Sequence, residues 1–329
     1  MAAGAWRVAH AGPMLCWMRG RPQVSVLIPT FNMRGTLLRA LASLRLQRFE
    51  DFEAIVVDDG STDGSAALVA RCAGTWGASR LRCVRLPRNL GRGSARAAAL
   101  AEARGEFCAF LDADDWLLPH KLEAQVALLR AEPACALVDT GFAVVLGRAE
   151  AEARSVREAC DARVLGVATL DAAGPAFFRH LRVGPMPVRS PTALLRRERA
   201  AKVGFDARLR RGEDFDFITR YLLGQTYARL PALGYVYQAD SRLQLRTYGA
   251  SSLAGTYAAL KHLRRQPYSA CVEVGRRLGK LPAYAGLFAL GQQARLASHG
   301  LRPPTDAERA TLAEAESAIA TASAQLGQA

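Results

Sequence analysis

Short apolar runs alternate with stretches in which apolar positions recur every three or four residues, and the alternation begins at Val24. Val24 to Pro29 is a β-branched run that reads as a strand. Leu37, Leu38, Leu41, Leu44 and Leu46 follow at near-helical spacing. Phe52 to Val57 predicts a second strand, ending at Asp58-Asp59-Gly60-Ser61, and Asp63 then stands where it can cap a helix running to about Cys72. Leu81 to Leu86 reads as a third strand, Gly91 to Arg104 as an Ala-rich helix, and Glu106 to Leu111 as a fourth strand. Past Pro119 the pattern predicts a helix to about Arg130 and a strand over Ala136 to Leu146. A charged, less regular excursion with some helix follows over Arg148 to Ala173. Val188 to Leu195 carries a short strand, Phe215 to Leu223 a helix and Tyr227 to Tyr237 a further strand. Such alternation predicts parallel βαβ units in an α/β domain.

These elements suggest three regions. Residues 1–21 form an N-terminal extension without a sustained apolar core, expected to be unstructured and unlike a signal peptide or membrane span. Residues 22–252 form the α/β domain, with halves at 22–118 and 119–252. Residues 253–329 form a helical extension in which Pro267, Pro282 and Pro303-Pro304 are expected to interrupt the helices.

The most telling chemistry lies at the strand ends. Phe107 to Leu111 runs straight into Asp112, Asp114 and Asp115. Like charges crowded at the end of a buried strand are costly unless a cation sits among them. Carboxylates with no Cys or His nearby suit Mg²⁺ or Mn²⁺, ions usually shared with substrate phosphates. Asp58 and Asp59 end an earlier strand, and open parallel sheets bind ligands at that edge. Arg88-Asn89-Leu90-Gly91-Arg92 opens a helix and could receive phosphate, as could Arg96, although a solvated loop would look the same. Glu213, Asp214 and Asp216 open another helix, where acids suit the helix dipole or one of them serves as a general base.

Several classes are poorly supported. No P-loop, dinucleotide fingerprint or Gly-x-Ser-x-Gly elbow is present. The seven cysteines are scattered without metal spacing, which suits a reducing compartment and places the catalytic part in the cytoplasm. Cys83 and Cys108, on predicted strands, are expected to be buried. The net charge of +14, almost entirely from Arg, favours anionic partners. A nucleic-acid binder lacks any supporting motif, and three acidic clusters would repel its phosphates. Between residues 255 and 300, basic residues neighbour an apolar run too short to span a bilayer. A helical cap on the catalytic domain is the favoured reading of that segment, and a peripheral contact with an anionic leaflet the other.

Val24-Ser-Val-Leu-Ile-Pro-Thr-Phe-Asn32, Val56-Val-Asp-Asp-Gly-Ser-Thr-Asp-Gly-Ser65, Arg88-Asn-Leu-Gly91 and Phe110-Leu-Asp-Ala-Asp-Asp115 together resemble glycosyltransferase family 2, in its order and spacing. Gly212-Glu-Asp-Phe-Asp-Phe217 is similar to the family's acceptor-side acidic motif. The resemblance spans about residues 22–250. It implies a GT-A fold, an inverting transfer from a nucleoside-diphosphate sugar (UDP or dTDP) and a Mg²⁺ or Mn²⁺ cofactor. It further implies a glycan or lipid-linked acceptor in surface polysaccharide or glycolipid synthesis. Donor contacts would come from Pro29, Thr30, Asn32, Asp58, Asp59, Asn89, Arg96, Asp112, Ala113 and Asp114. Asp112, Asp114 and Asp115 would supply metal ligands, Asp114 foremost. Asp214 would be the base, with Glu213 beside it. Ala97 departs from the family, many of whose members carry Asn there, and Gln244 to Tyr248 only partly echo the motif of processive synthases. A sugar-phosphate nucleotidyltransferase shares such a sheet, but its Gly-rich basic signature is missing after the first strand. An inactive nucleotide-sugar-binding protein is the other alternative.

Overall fold

The computed structural model describes residues 20–77, 79–146, 164–239, 245–290, 296 and 299–328. Most of the expected N-terminal extension and much of the 148–173 excursion lie outside the described residues, as do the side chains of 244–248.

Ten strands form one mixed sheet, in the order β3-β2-β1-β4-β9-β6-β10-β5, with β7 paired to β6 and β8 to β10. The first half is parallel: β1 (Val24–Thr30) lies between β2 (Phe52–Asp58) and β4 (Phe107–Phe110), with β3 (Leu81–Arg85) at the edge. Its connections are α1 (Arg34–Arg45), α2 (Ser65–Trp76) and α3 (Arg92–Glu102). Val24, Val26 and Ile28 face one hydrophobic core with α1, while Leu27, Ile55 and Val57 face the other with α3. That explains the largely apolar runs: a strand covered on both faces has no solvent-facing side, and the buried exceptions meet each other, Ser25 Oγ donating to Glu53 Oε1 at 2.7 Å.

The second half mixes directions. The short β5 (Trp116–Leu117) and α4 (Lys121–Ala131) lead into β6 (Cys135–Leu146), which runs parallel to β10 (Thr226–Ala239). Strand β9 (Leu194–Arg196) is antiparallel to both β4 and β6 and joins the halves. Strand β7 (Val164–Ala168) replaces part of the expected irregular excursion, because β6 extends far enough to pair with it. Strand β8 (Ala176–Arg179) pairs antiparallel with β10, and α5 (Arg197–Val203) and α6 (Glu213–Leu222) follow β9.

The C-terminal residues form α7 (Leu245–Leu260), α8 (Pro267–Ala289) and α9 (Asp306–Gln328). Helix α7 runs through position 252, so the compositional shift there marks no break in the backbone. Pro267 opens α8, while Pro282 lies inside it without ending it, contrary to the expected interruption. Pro282 is exposed, so solvent can meet the carbonyl its ring leaves unpaired. Helix α9 places Leu312, Ala315, Ile319, Ala322 and Leu326 in the main core, and Glu316 pairs with Arg39 of α1 at 3.1 Å. Among the described residues, no helix is long and apolar enough to cross a membrane. Cys108 is buried as expected, but Cys83 is exposed because edge strand β3 has one uncovered face.

Lys121 is fully buried and donates Nζ to Gln125 Oε1 at 2.8 Å. Burial pulls its ammonium down to about 7, against the attraction of Asp139. Between that value and its ordinary value of 10.5, the unfolded chain holds a proton that the folded chain lacks. Lys121 therefore penalises folding most at low pH, and the penalty fades as pH rises through this window. The stability difference between Lys121→Met and wild type is expected to shrink by about 1.4 kcal/mol per pH unit between about pH 7 and 9, measured by chemical denaturation. A difference independent of pH would show that folded Lys121 keeps its proton across this window, as the unfolded chain does.

Candidate active site

The site is built where β1, β2 and β4 end together. Register pairs Thr30 with Asp58 and Leu27 with Phe110, so the segments after all three strands open onto one edge. A cleft of about 490 Å³ lies there. Among its lining residues are Pro29, Thr30, Asp59, Asn89, Asp112, Ala113, Asp114 and Asp115. Four sequence motifs spread over residues 24–115 are thus brought to one wall.

Within the second motif the acids divide by role. Asp59 accepts the backbone N–H groups of Leu90 (2.7 Å) and Gly91 (2.8 Å), fixing the loop that carries Asn89. Asp63 accepts the N–H groups of Arg34 (2.9 Å) and Ser65 (3.0 Å) from just ahead of α2, whose N-cap is Gly64 in the left-handed region rather than Asp63 as expected. Asp58 is buried; one oxygen takes the Ser61 N–H at 2.9 Å, and Oδ2 has no hydrogen-bond partner, with Arg85 Nε 3.6 Å away. Thr30 Oγ1, opposite in register, is also buried without a partner. Neither Asp58 nor Asn32 lines the cleft. Asn32, at φ 53°, cross-links the loops instead: its N–H donates to Ser61 Oγ and its Oδ1 accepts from Thr62 N–H, both at 2.9 Å. Gly60 has φ 78°, and a Cβ there would lie 2.7 Å from the Arg88 carbonyl carbon. Its close approach is therefore to the chain's own loop.

The third motif divides likewise. Asp115 accepts the Tyr235 hydroxyl and the Gln238 N–H, each at 2.8 Å, and is buried. Burial pushes its carboxyl well above the usual range, reinforced by Asp114 and Asp112. Asp115 thus anchors β10 to the site, and its oxygens are committed to protein donors. Asp112 and Asp114 remain as the carboxylates at the cleft. Among the described residues no three His, Cys, Asp or Glu side chains converge as a complete metal cage. The donor set still fits a hard divalent ion, since Mg²⁺ is commonly held by one or two carboxylates plus substrate phosphates.

A second cleft of about 280 Å³ adjoins the first, sharing Arg92, Asp112, Arg211 and Tyr237 with it. It is lined further by Arg96, Glu213, Asp214 and Arg277. Arg96 differs from its expected donor-binding place. It is buried, with Nη1 2.7 Å from Glu213 and Nη2 2.9 Å from Asp112, so it ties the two acidic motifs together. Burial alone would lower its pKa, but Asp112, Glu213 and Asp214 together raise it. Burial raises the carboxyl of Glu213, helped by Asp214 and opposed by Arg96. Asp216 is fully buried and held by Arg220 and by Lys261, the residue that follows α7. Of the three acids opening α6, Glu213 and Asp214 line the second cleft, and Glu213 is spent on Arg96.

The sequence reading did not single out Tyr235, Tyr237, Arg189 or Arg277. Arg189 stacks on Phe142 and Tyr237, and Arg277 on Phe215 at 3.9 Å. The two tyrosines sit at alternate positions of a strand, a period-2 signal that was there to be read. Arg277 carries no local signal, because α8 reaches the site only through tertiary packing.

The sheet thus sets an acidic ligand edge beside a second acidic cleft. Residues 25–180 match the sequence model "Glycosyl transferase family 2". The succinoglycan biosynthesis protein ExoU of Rhizobium meliloti is 31% identical over 259 residues, covering 78% of this chain and 70% of that protein. ExoO of the same organism is 32% identical over 66% of this chain, and the Bacillus subtilis teichuronic acid biosynthesis glycosyltransferase TuaG (a putative assignment by its own name) is 35% identical over 38%. The chain covers only 60% and 48% of those two proteins. Among solved structures, S. aureus TarS 1–349 superposes with a TM-score of 0.58 at 20% identity, covering 91% of this chain and 80% of that one. The mannosyltransferase PcManGT of Pyrobaculum calidifontis, solved with GDP-Man and Mn²⁺, gives 0.54 at 20% identity, covering 92% and 87%. The chain belongs to glycosyltransferase family 2 and has the GT-A fold.

Proposed function

We propose that the protein transfers a sugar from a nucleoside-diphosphate donor to an acceptor hydroxyl, with inversion, in the assembly of a surface polysaccharide or glycolipid. One observation carries the reading: the carboxylates of Asp112 and Asp114 line the same cleft as Thr30, Asp59 and Asn89, and Asp214 lines the adjoining one. Thr30 lines the donor cleft, and its buried Oγ1 has no hydrogen-bond partner, which supports a polar group of the donor there. Asp112 and Asp114 would hold Mg²⁺ or Mn²⁺, which supplies charge neutralisation on the departing diphosphate. Asp214 would take the acceptor's proton, and inversion needs no enzyme nucleophile. The names of ExoU and ExoO as succinoglycan biosynthesis proteins, and of TuaG as a putative teichuronic acid biosynthesis glycosyltransferase, support the polysaccharide assignment. Neighbours solved with UDP, UDP-GlcNAc and GDP-Man support a nucleotide-sugar donor, UDP or dTDP being the bases favoured here.

Calorimetric titration with nucleoside diphosphates and their sugars, with Mn²⁺ or EDTA, tests the reading. Metal-dependent binding of one diphosphate is expected in wild type, and Asp114→Asn should lose the metal dependence while staying folded. Donor binding in Asp114→Asn that keeps the wild-type dependence on Mn²⁺ would remove Asp114 as a metal ligand.

A further inference from the structure

The α8 helix and the loop after β8 together form a surface that the transfer chemistry does not use. An apolar cleft of about 670 Å³ opens between them, lined by Leu181, Val183, Pro185, Tyr268 and Val272, with Arg182 and Arg276 beside them. The cleft is preorganised. Gln266 accepts the Val183 N–H at 2.8 Å and donates to the Leu181 carbonyl at 3.0 Å, clamping the loop to the start of α8. Large apolar groups nevertheless stand in solvent: Tyr268 is 79% exposed, Leu181 57% and Val272 53%.

The charge around the cleft is one-sided. Residues 175–185 and 253–290 contain a single acid, Glu273, against Arg179, Arg182, Arg264, Arg265, Arg276, Arg277 and Lys280, with Lys261 spent on Asp206 and Asp216. Glu273 is 1% exposed and is held by Arg276 (2.6 Å) and Arg277 (2.7 Å), so it presents no negative charge outward. The surface also adjoins the second cleft: Arg276 lines the apolar cleft and Arg277 the one holding Asp214, and Pro185 and Met186 divide in the same way.

We infer that this surface docks the enzyme on an anionic lipid bilayer, with Leu181 and Tyr268 entering the interface and the arginines meeting lipid phosphates. Exposed aromatic and aliphatic groups within a basic field suit the headgroup region, where an amphipathic ring finds both phases and each cation adds attraction. A second copy of the chain is disfavoured because two such faces would repel. Docking here would present the Asp214 cleft to an acceptor at the membrane surface. The inference deepens the acceptor reading above and rests on it for the role of the surface, whereas bilayer binding stands or falls separately.

Vesicle flotation of the full chain is the test. The protein is expected to float with vesicles of phosphatidylcholine and phosphatidylglycerol, not with phosphatidylcholine alone, and to be released as salt is added. Leu181→Ser/Tyr268→Ser and Arg264→Gln/Arg265→Gln should each lower partition by about tenfold or more. Neither pair lines the donor cleft, so donor titration should match wild type in both and will confirm that they are folded. Absence of flotation in a wild-type sample that binds donor would overturn the inference. So would variants that float like wild type, or self-association lost in Leu181→Ser/Tyr268→Ser without any vesicle binding. Flotation without donor binding would instead sink the transferase reading and leave the surface intact.

Discussion

Asp214→Asn is expected to bind the donor as wild type does and to lose sugar transfer by about a hundred- to ten-thousandfold, the range a positioned general base contributes. The expectation comes from position. Asp214 lines the second cleft and not the donor cleft, so an isosteric amide there should leave nucleotide and metal contacts alone. Its neighbours supply the control. Asp216 is buried between Arg220 and Lys261, outside both clefts, and Asp216→Asn should lower stability with a much smaller effect on turnover of the folded fraction. Transfer assays under saturating donor, beside calorimetric donor titrations, separate the two. Wild-type turnover in Asp214→Asn would eliminate it as the base.

Arg96→Met should destabilise the fold by about 3–5 kcal/mol, the usual cost of removing one partner of a buried ion pair. Arg96 is nearly as buried as Glu213, and its two terminal nitrogens serve carboxylates on different elements: Glu213 at the start of α6 and Asp112 after β4. Without the guanidinium, Glu213 would have to ionise unpaired or take up a proton. A loss of that size is a large share of the 5–15 kcal/mol that holds a typical domain. If the stranded charge is the cause, adding Glu213→Gln to Arg96→Met should restore part of the stability in urea denaturation. A single variant within about 1 kcal/mol of wild type would show that solvent or relaxation satisfies Glu213 instead.

The parallel half of the sheet was legible in the chain alone, since strands covered on both faces are mostly apolar and the helices between them must carry an apolar stripe. The chain alone also determined that the motifs around Thr30, Asp59, Asn89 and Asp112 would meet, because residues following parallel strands emerge at one edge. Which acid within each motif faces the cleft was decided only by tertiary structure. Asp112 and Asp115 look alike in the chain, yet Asp115 turns to Tyr235 and Gln238, more than a hundred residues away. Arg96 reads as a phosphate ligand until α6 brings Glu213 to it. The strands of the mixed half were legible, but not their directions: β9 lies antiparallel between β4 and β6, and a three-residue strand carries no sign of its pairing. Local pattern fixes which face of an element is buried; the partner of a buried polar group is fixed by long-range packing, on which the sequence near that group carries no mark.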